Sequence, residues 1–118
     1  MVTATAAVAA PGAVRHLAPA DFAAAVEKSG AVLLDVRTPG EYAAGHLSKA
    51  INIDMEAADF AQRLAALDKS AGYALYCRTG HRSGLAAEQM RAAGFTTVVD
   101  LTGGITAWTQ TGRATTTG

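Results

Sequence analysis

The sequence predicts an α/β fold, a single domain in which helices cover both faces of a central parallel sheet. Three observations carry this. Short, mainly apolar runs at 31–35, 73–76 and 97–101 have the length and hydrophobicity of strands buried on both faces. Stretches with helical spacing separate them, and strand–helix alternation of this kind builds a parallel sheet. At 118 residues the chain has room for one core, and no internal repeat divides it.

Each element has its own signal. Val14 to Leu17 forms a short first strand. Pro19 opens a helix through about Lys28, because its ring suits a first helical turn, and Gly30 lies past the end. Ala31 to Asp35 is the next strand, Glu41 to Ala44 one helical turn, and Ala50 to Ile53 a further strand. Phe60, Leu64 and Leu67 share one side of a helix over 60–67. Tyr73 to Tyr76 is a buried strand, followed by a helix from Ser83 to Ala93 that Gly94 stops. Thr97 to Leu101 is a β-branched strand, and Ile105 to Gln110 a closing helix. Residues 1–12, alanine-rich and broken by Pro11-Gly12, read as a flexible leader. Residues 13–112 read as the folded domain and the Thr-rich 113–118 as a disordered tail.

Composition narrows the function. Half the residues are hydrophobic and 17% are charged, so the chain is globular. Ten basic and ten acidic residues cancel, which argues against nucleic acid or an anionic membrane as the main partner. One cysteine excludes an internal disulfide and a zinc cluster, and His16, His46 and His81 are too scattered to form a metal site. The expectation is chemistry without metal or cofactor. No stretch approaches the ~20 apolar residues of a membrane span. The leader lacks the basic start and leucine-rich core of a secretory signal, so the reading is cytoplasmic. Ala7-Val8-Ala9-Ala10 does offer the small residues a signal peptidase accepts, which keeps export open.

The chemistry concentrates at Cys77-Arg78-Thr79-Gly80-His81-Arg82-Ser83, between the apolar strand and the long helix. A thiol there sits over a helix N-terminus, whose free N–H groups and positive dipole end favour an anion. Arg78, His81 and Arg82 add cationic groups, and no carboxylate lies between Asp68 and Glu88. Such surroundings favour the nucleophilic thiolate. A lone cysteine is commonly an inert core residue, but a core position does not call for two arginines, a histidine and a glycine around it. Gly80 fits a bend that turns successive N–H groups inward as an anion nest.

This loop resembles the active site of rhodanese-type sulfurtransferases, in which a cysteine opens a six-residue loop closed by an arginine or similar residue. Two further stretches agree. Asp35 through Leu47, followed by Ala50-Ile51-Asn52-Ile53, resembles the family's N-terminal signature, and Leu101 through Trp108 its C-terminal one. Together they run from about Val14 to about Trp108. The resemblance implies a single rhodanese-like domain. Cys77 would carry sulfur as a persulfide, with thiosulfate as the anionic donor and cyanide or a thiol as acceptor. Loop N–H groups from Arg78 through Ser83 would surround the sulfur. Arg78 and Arg82 would hold the donor, with bracing of the loop as the alternative role for Arg82, and His81 would point to solvent. Asp35 and Arg37 match an aspartate-x-arginine pair that ties the scaffold near the loop. His46 reads as a structural histidine, Gly103 and Gly104 as a tight turn beside the loop, Trp108 as core packing, and Asn52 and Glu41 as turn and salt-bridge residues. One departure stands out: Ser48-Lys49 occupies a place where relatives often have glycine.

Two rivals share this chemistry. A phosphatase or arsenate reductase on the same fold also uses a thiolate in an anion nest, but spaces cysteine and arginine by five residues. Here four stand between Cys77 and Arg82, Ser83 takes the arginine's place, and Tyr76 precedes the cysteine where many such enzymes carry histidine. The other rival is a persulfide carrier that delivers sulfur to a partner protein. A non-catalytic binding domain of the family is disfavoured because the cysteine is kept.

Overall fold

The computed structural model describes residues 13–118, so the leader expected over residues 1–12 lies outside the described residues. Five strands and five helices follow in order. They are β1 (Val14–Leu17), α1 (Pro19–Ser29), β2 (Val32–Asp35), α2 (Pro39–Ala44), β3 (Ile51–Asn52), α3 (Phe60–Ala65), β4 (Gly72–Tyr76), α4 (His81–Ala92), β5 (Thr97–Leu101) and α5 (Gly104–Gln110). The strands form one sheet in the order β1-β5-β4-β2-β3. All four ladders are parallel, with Leu34 opposite Leu75 and Ile51, and Leu75 opposite Asp100.

The alternation of side chains along each strand splits the core into two layers. On one face Leu34, Tyr73, Leu75, Cys77 and Val98 meet Phe60 and Leu64 of α3 and Ala86, Ala87 and Met90 of α4. On the other, Leu33, Ala74, Tyr76, Val99 and Leu101 meet Phe22 of α1 and are flanked by Tyr42, Ile105 and Trp108. Phe22 and Trp108 pack edge to face at 6.4 Å. The sheet is therefore covered on both sides, as the apolar runs required.

The ends of the elements follow from local chemistry. Pro19 sits in the first turn of α1, and Gly30 ends it at φ 67° with its N–H on Val26 O. Thr38 and Glu41 form a reciprocal capping box on α2, which lengthens the expected single turn back to Pro39. The strand expected over Ala50–Ile53 pairs only at Ile51 and Asn52, and the helix expected to reach Leu67 ends at Ala65. The long helix begins at His81, two residues before the expected start, because Gly80 at φ 107° makes the turn that precedes it.

Residues 113–118 differ from the expected disordered tail. They form a strap against the domain: Thr116 and His46 exchange main-chain bonds of 2.8 Å each way, and Trp108 Nε1 donates to Ala114 O at 3.0 Å. Low hydrophobicity hid this, because the strap is held by main-chain and edge contacts and not by burial.

Candidate active site

Cys77 follows the last residue of β4, at the carboxyl edge of the sheet where open α/β folds place their ligands. Its side chain is 1% exposed and packs into the α3/α4 layer. Gly80 bends the chain so that its N–H donates to Sγ at 3.0 Å. From Gly80 the chain enters α4, whose first turn holds no acidic residue. A sulfur anion at Sγ is thus met by a main-chain donor and the positive end of a 12-residue helix. Arg78, Thr79 and His81 are exposed, Arg82 is half-buried, and Ser83 is buried with its Oγ reaching Gly80 O at 3.4 Å.

The Gly103-Gly104 turn clamps this loop from the side. Ile105 N donates to Cys77 O at 2.9 Å and Thr106 N to Arg78 O at 3.1 Å. Gly104 lies so close that a Cβ there would sit 2.6 Å from Cys77 O and closer still to Arg78 C and O, at a φ of 61°. Only glycine gives α5 this approach.

Asp35, Arg37 and Tyr76 hold the loop from below. Asp35 is fully buried at the end of β2 and Arg37 is 5% exposed. Arg37 Nε reaches Oδ1 and Oδ2 of Asp35 at 2.9 and 3.1 Å, and its Nη2 reaches Oδ2 at 2.6 Å. Tyr76, the residue before Cys77, donates its hydroxyl to Asp35 Oδ2 at 2.7 Å and accepts from Leu47 N at 3.0 Å. Asn52 Nδ2 joins Asp35 O and Arg37 O at 3.0 and 2.8 Å. Burial lowers the Arg37 guanidinium, but its bonds and charge contact with Asp35 outweigh that and raise it. Burial, reinforced by Asp35, holds the Tyr76 hydroxyl protonated well above the ordinary tyrosine range. The cluster is a buried ion pair with its hydrogen bonds satisfied, an arrangement suited to positioning.

Arg82 is engaged elsewhere than a donor-holding role requires. Its Nη1 and Nη2 bond Glu41 Oε1 and Oε2 at 2.8 and 2.9 Å, a two-point pair that ties the loop to α2. The hydrogen bonds from Arg82 hold the Glu41 carboxyl down at about 2. This pairing is compatible with the bracing role set out as the alternative for Arg82. Arg78 has no ion pair among the described residues. It lines a pocket of about 490 Å³ with Arg37, Glu41, Ile105, Thr106 and Thr109. Arg37 and Glu41 are neutralised by Asp35 and Arg82, so Arg78 supplies the pocket's uncompensated charge.

His46 has both ring nitrogens against main-chain oxygens, Tyr42 O at 2.8 Å and Gly118 O at 3.2 Å, and stacks on Tyr42 at 3.7 Å. On the far side of the loop His16 Nδ1 lies 3.0 Å from Asp100 Oδ2. Asp100 Oδ1 is buried without a partner, and burial raises that carboxyl. Glu41, expected as a salt-bridge residue, pairs with Arg82. Asn52, expected in a turn, is instead the last residue of β3. The contact of the Tyr76 hydroxyl with Asp35 is the part of the framework that the motif residues alone did not reveal. The Thr38-x-x-Glu41 capping signal was available, but it names a helix start and not the loop contact. Among the described residues, no group of three or more His, Cys, Asp or Glu could hold a metal ion, and no helix is long and apolar enough to cross a membrane.

The Rhodanese-like domain family model matches residues 18–111, and the chain belongs to that family. It is 36% identical to the thiosulfate sulfurtransferase GlpE of Pseudomonas fluorescens over 94 residues, covering 79% of this chain and 84% of that protein. It is 32% identical to the slr1261 protein of Synechocystis over 99 residues, covering 84% of this chain and 54% of that protein. The chain thus spans about half the length of some curated relatives it matches. Among solved structures, a rhodanese-related protein from Thermoplasma volcanium superposes with a TM-score of 0.78 at 29% identity, covering 88% of this chain and 99% of that one.

Proposed function

We propose that this chain is a sulfurtransferase that carries sulfane sulfur as a persulfide on Cys77, taking it from thiosulfate and passing it to cyanide or a thiol. The observation that carries this reading is the Gly80 N–H aimed at Cys77 Sγ from the N-terminus of α4. The Cys77 thiolate attacks the outer sulfur of thiosulfate. A new sulfur–sulfur bond forms, the old one breaks, and sulfite leaves with its electron pair. The acceptor's thiolate or cyanide carbon then attacks the outer sulfur of the persulfide, and Cys77 recovers its thiolate. Arg78, without an ion pair among the described residues, attracts the anionic donor. Asp35, Arg37, Tyr76, Glu41 and Arg82 act as the frame. The likeness to GlpE supports the activity and the choice of thiosulfate.

The test is thiosulfate-dependent formation of thiocyanate by the wild type and by Cys77→Ser. Turnover that vanishes in the variant while its far-ultraviolet spectrum stays unchanged is the expected result. Turnover retained by Cys77→Ser overturns the reading.

A further inference from the structure

In sequence the cysteine loop is purely cationic, with no carboxylate between Asp68 and Glu88. The fold brings one to it from β5. Asp100 stands opposite Leu75, two residues before Cys77, and opposite His16 of β1. Its side chain lies against the first turn of α4, where a Cβ added at Gly84 would stand 3.8 Å from Asp100 Oδ2. The residue is 3% exposed. Oδ2 faces His16 Nδ1 at 3.0 Å, and Oδ1 is buried without a partner among the described residues. A carboxylate this deep with one bare oxygen is costly, so its retention calls for a reason.

The reason lies in what it faces. Asp100 lines a crevice of about 320 Å³ together with Thr79, Gly80 and Gly84. Gly80 is the residue whose N–H meets Cys77 Sγ at 3.0 Å, and Ser83 Oγ lies 3.4 Å from Gly80 O. Asp100 and a Cys77 thiolate therefore both draw on the positive end of α4, and like charges at one helix end disfavour each other. Burial raises the Asp100 carboxyl, while Ser83 and His16 pull it down. Around the sulfur, Arg82 is in charge contact with Glu41, Cys77 and Glu56, and Arg78 and His81 are exposed on the loop. From α3 the sulfur's layer receives only the apolar Phe60 and Leu64.

We infer that Asp100 is a positioning residue for the nucleophile: its buried charge, held by His16 beneath the first turn of α4, restrains ionisation of Cys77. The helix end and the loop's cations favour the thiolate, and Asp100 offsets part of that effect. Its bearing on sulfur transfer rests on the sulfurtransferase reading above, but the restraint itself is a property of the free protein.

The experiment follows the ultraviolet absorbance of the thiolate against pH, with the curve of Cys77→Ser subtracted. The chain has one cysteine, so the difference reports Cys77 alone. Asp100→Asn keeps the shape of the side chain and removes its charge. It should raise the thiolate fraction below the midpoint about threefold, the effect of a unit charge acting in a dielectric between those of protein and water. Asp100→Glu keeps the charge and should stay near the wild-type curve, which a role in packing alone does not predict. His16→Lys changes a half-exposed side chain and sets a permanent cation beside the carboxylate, so it should move the curve in the same direction as Asp100→Asn by a smaller amount. A curve that is unmoved in Asp100→Asn, or moved toward higher pH, overturns the inference. If that variant does not fold, an unmoved curve in His16→Lys overturns it. None of these titrations needs a sulfur donor. A wild-type protein that never loads sulfur from thiosulfate therefore overturns the sulfurtransferase reading alone.

Discussion

Arg82 and Glu41, 41 residues apart in sequence, form a two-point ion pair at 2.8 and 2.9 Å that fastens the cysteine loop to α2. Glu41 serves two partners at once, since its Oε1 also accepts from Thr38 N at 3.1 Å in the capping box. One carboxylate thus sets the start of α2 and the position of the loop.

The Glu41 carboxyl, held at about 2 by Arg82, makes stability depend on acid. Its folded value lies below its unfolded one, so its contribution is full above the ordinary carboxylate range and is lost as pH falls toward about 2. Both side chains touch solvent (22% and 28% exposed), so screening keeps the contribution to about 1 kcal/mol. Glu41→Gln should therefore melt lower than the wild type at pH 7, and the gap should close as acid protonates Glu41. Thermal melts across this range check it, and a gap that persists unchanged into acid contradicts it.

Gly104→Ala should damage the site more than a change at another left-handed glycine. At Gly104 a Cβ meets Cys77 O at 2.6 Å, whereas at Gly112, with φ 85°, nothing lies within 4 Å. Backbone strain alone costs on the order of 1 kcal/mol at either position. The clash adds to it at Gly104, for a loss of about 3 kcal/mol or more. Urea unfolding of both variants, with sulfur loading of Cys77 measured alongside, tests the difference.

The opposite change should help at Lys49. This residue alone among the non-glycine described residues has a positive φ, at 72°. It belongs to the Ser48-Lys49 pair, where the resemblance led to the expectation of a glycine, and glycine carries no Cβ penalty at this φ. Lys49→Gly should stabilise the protein by about 0.5–1 kcal/mol, read from the urea midpoint at constant slope.

Arg78→Ala should reduce the use of thiosulfate more than that of an uncharged sulfane donor, because Arg78 supplies the pocket's uncompensated charge. The comparison is kcat/KM with each donor. Equal losses would make Arg78 a brace of the loop.

The sheet was legible because buried parallel strands such as Leu33-Leu34 and Ala74-Leu75 must be apolar on both faces, and that leaves a continuous run. The position of Cys77 was legible because a strand end, a glycine bend and a helix start are local signals. The partners of the loop were not. Arg82 had ten acidic residues to choose from, and nothing local selects Glu41. Tyr76 read as an apolar strand residue, and only the fold brings its hydroxyl to Asp35. The strap was missed because its hold on His46 is mainly a main-chain exchange, which side-chain composition does not encode.

Intact-mass measurement of the reduced protein, before and after thiosulfate and then after cyanide, tests the central claim most directly. The account predicts a gain of one sulfur atom that is absent in Cys77→Ser and is released as thiocyanate. No gain from thiosulfate, or an equal gain in Cys77→Ser, would contradict it.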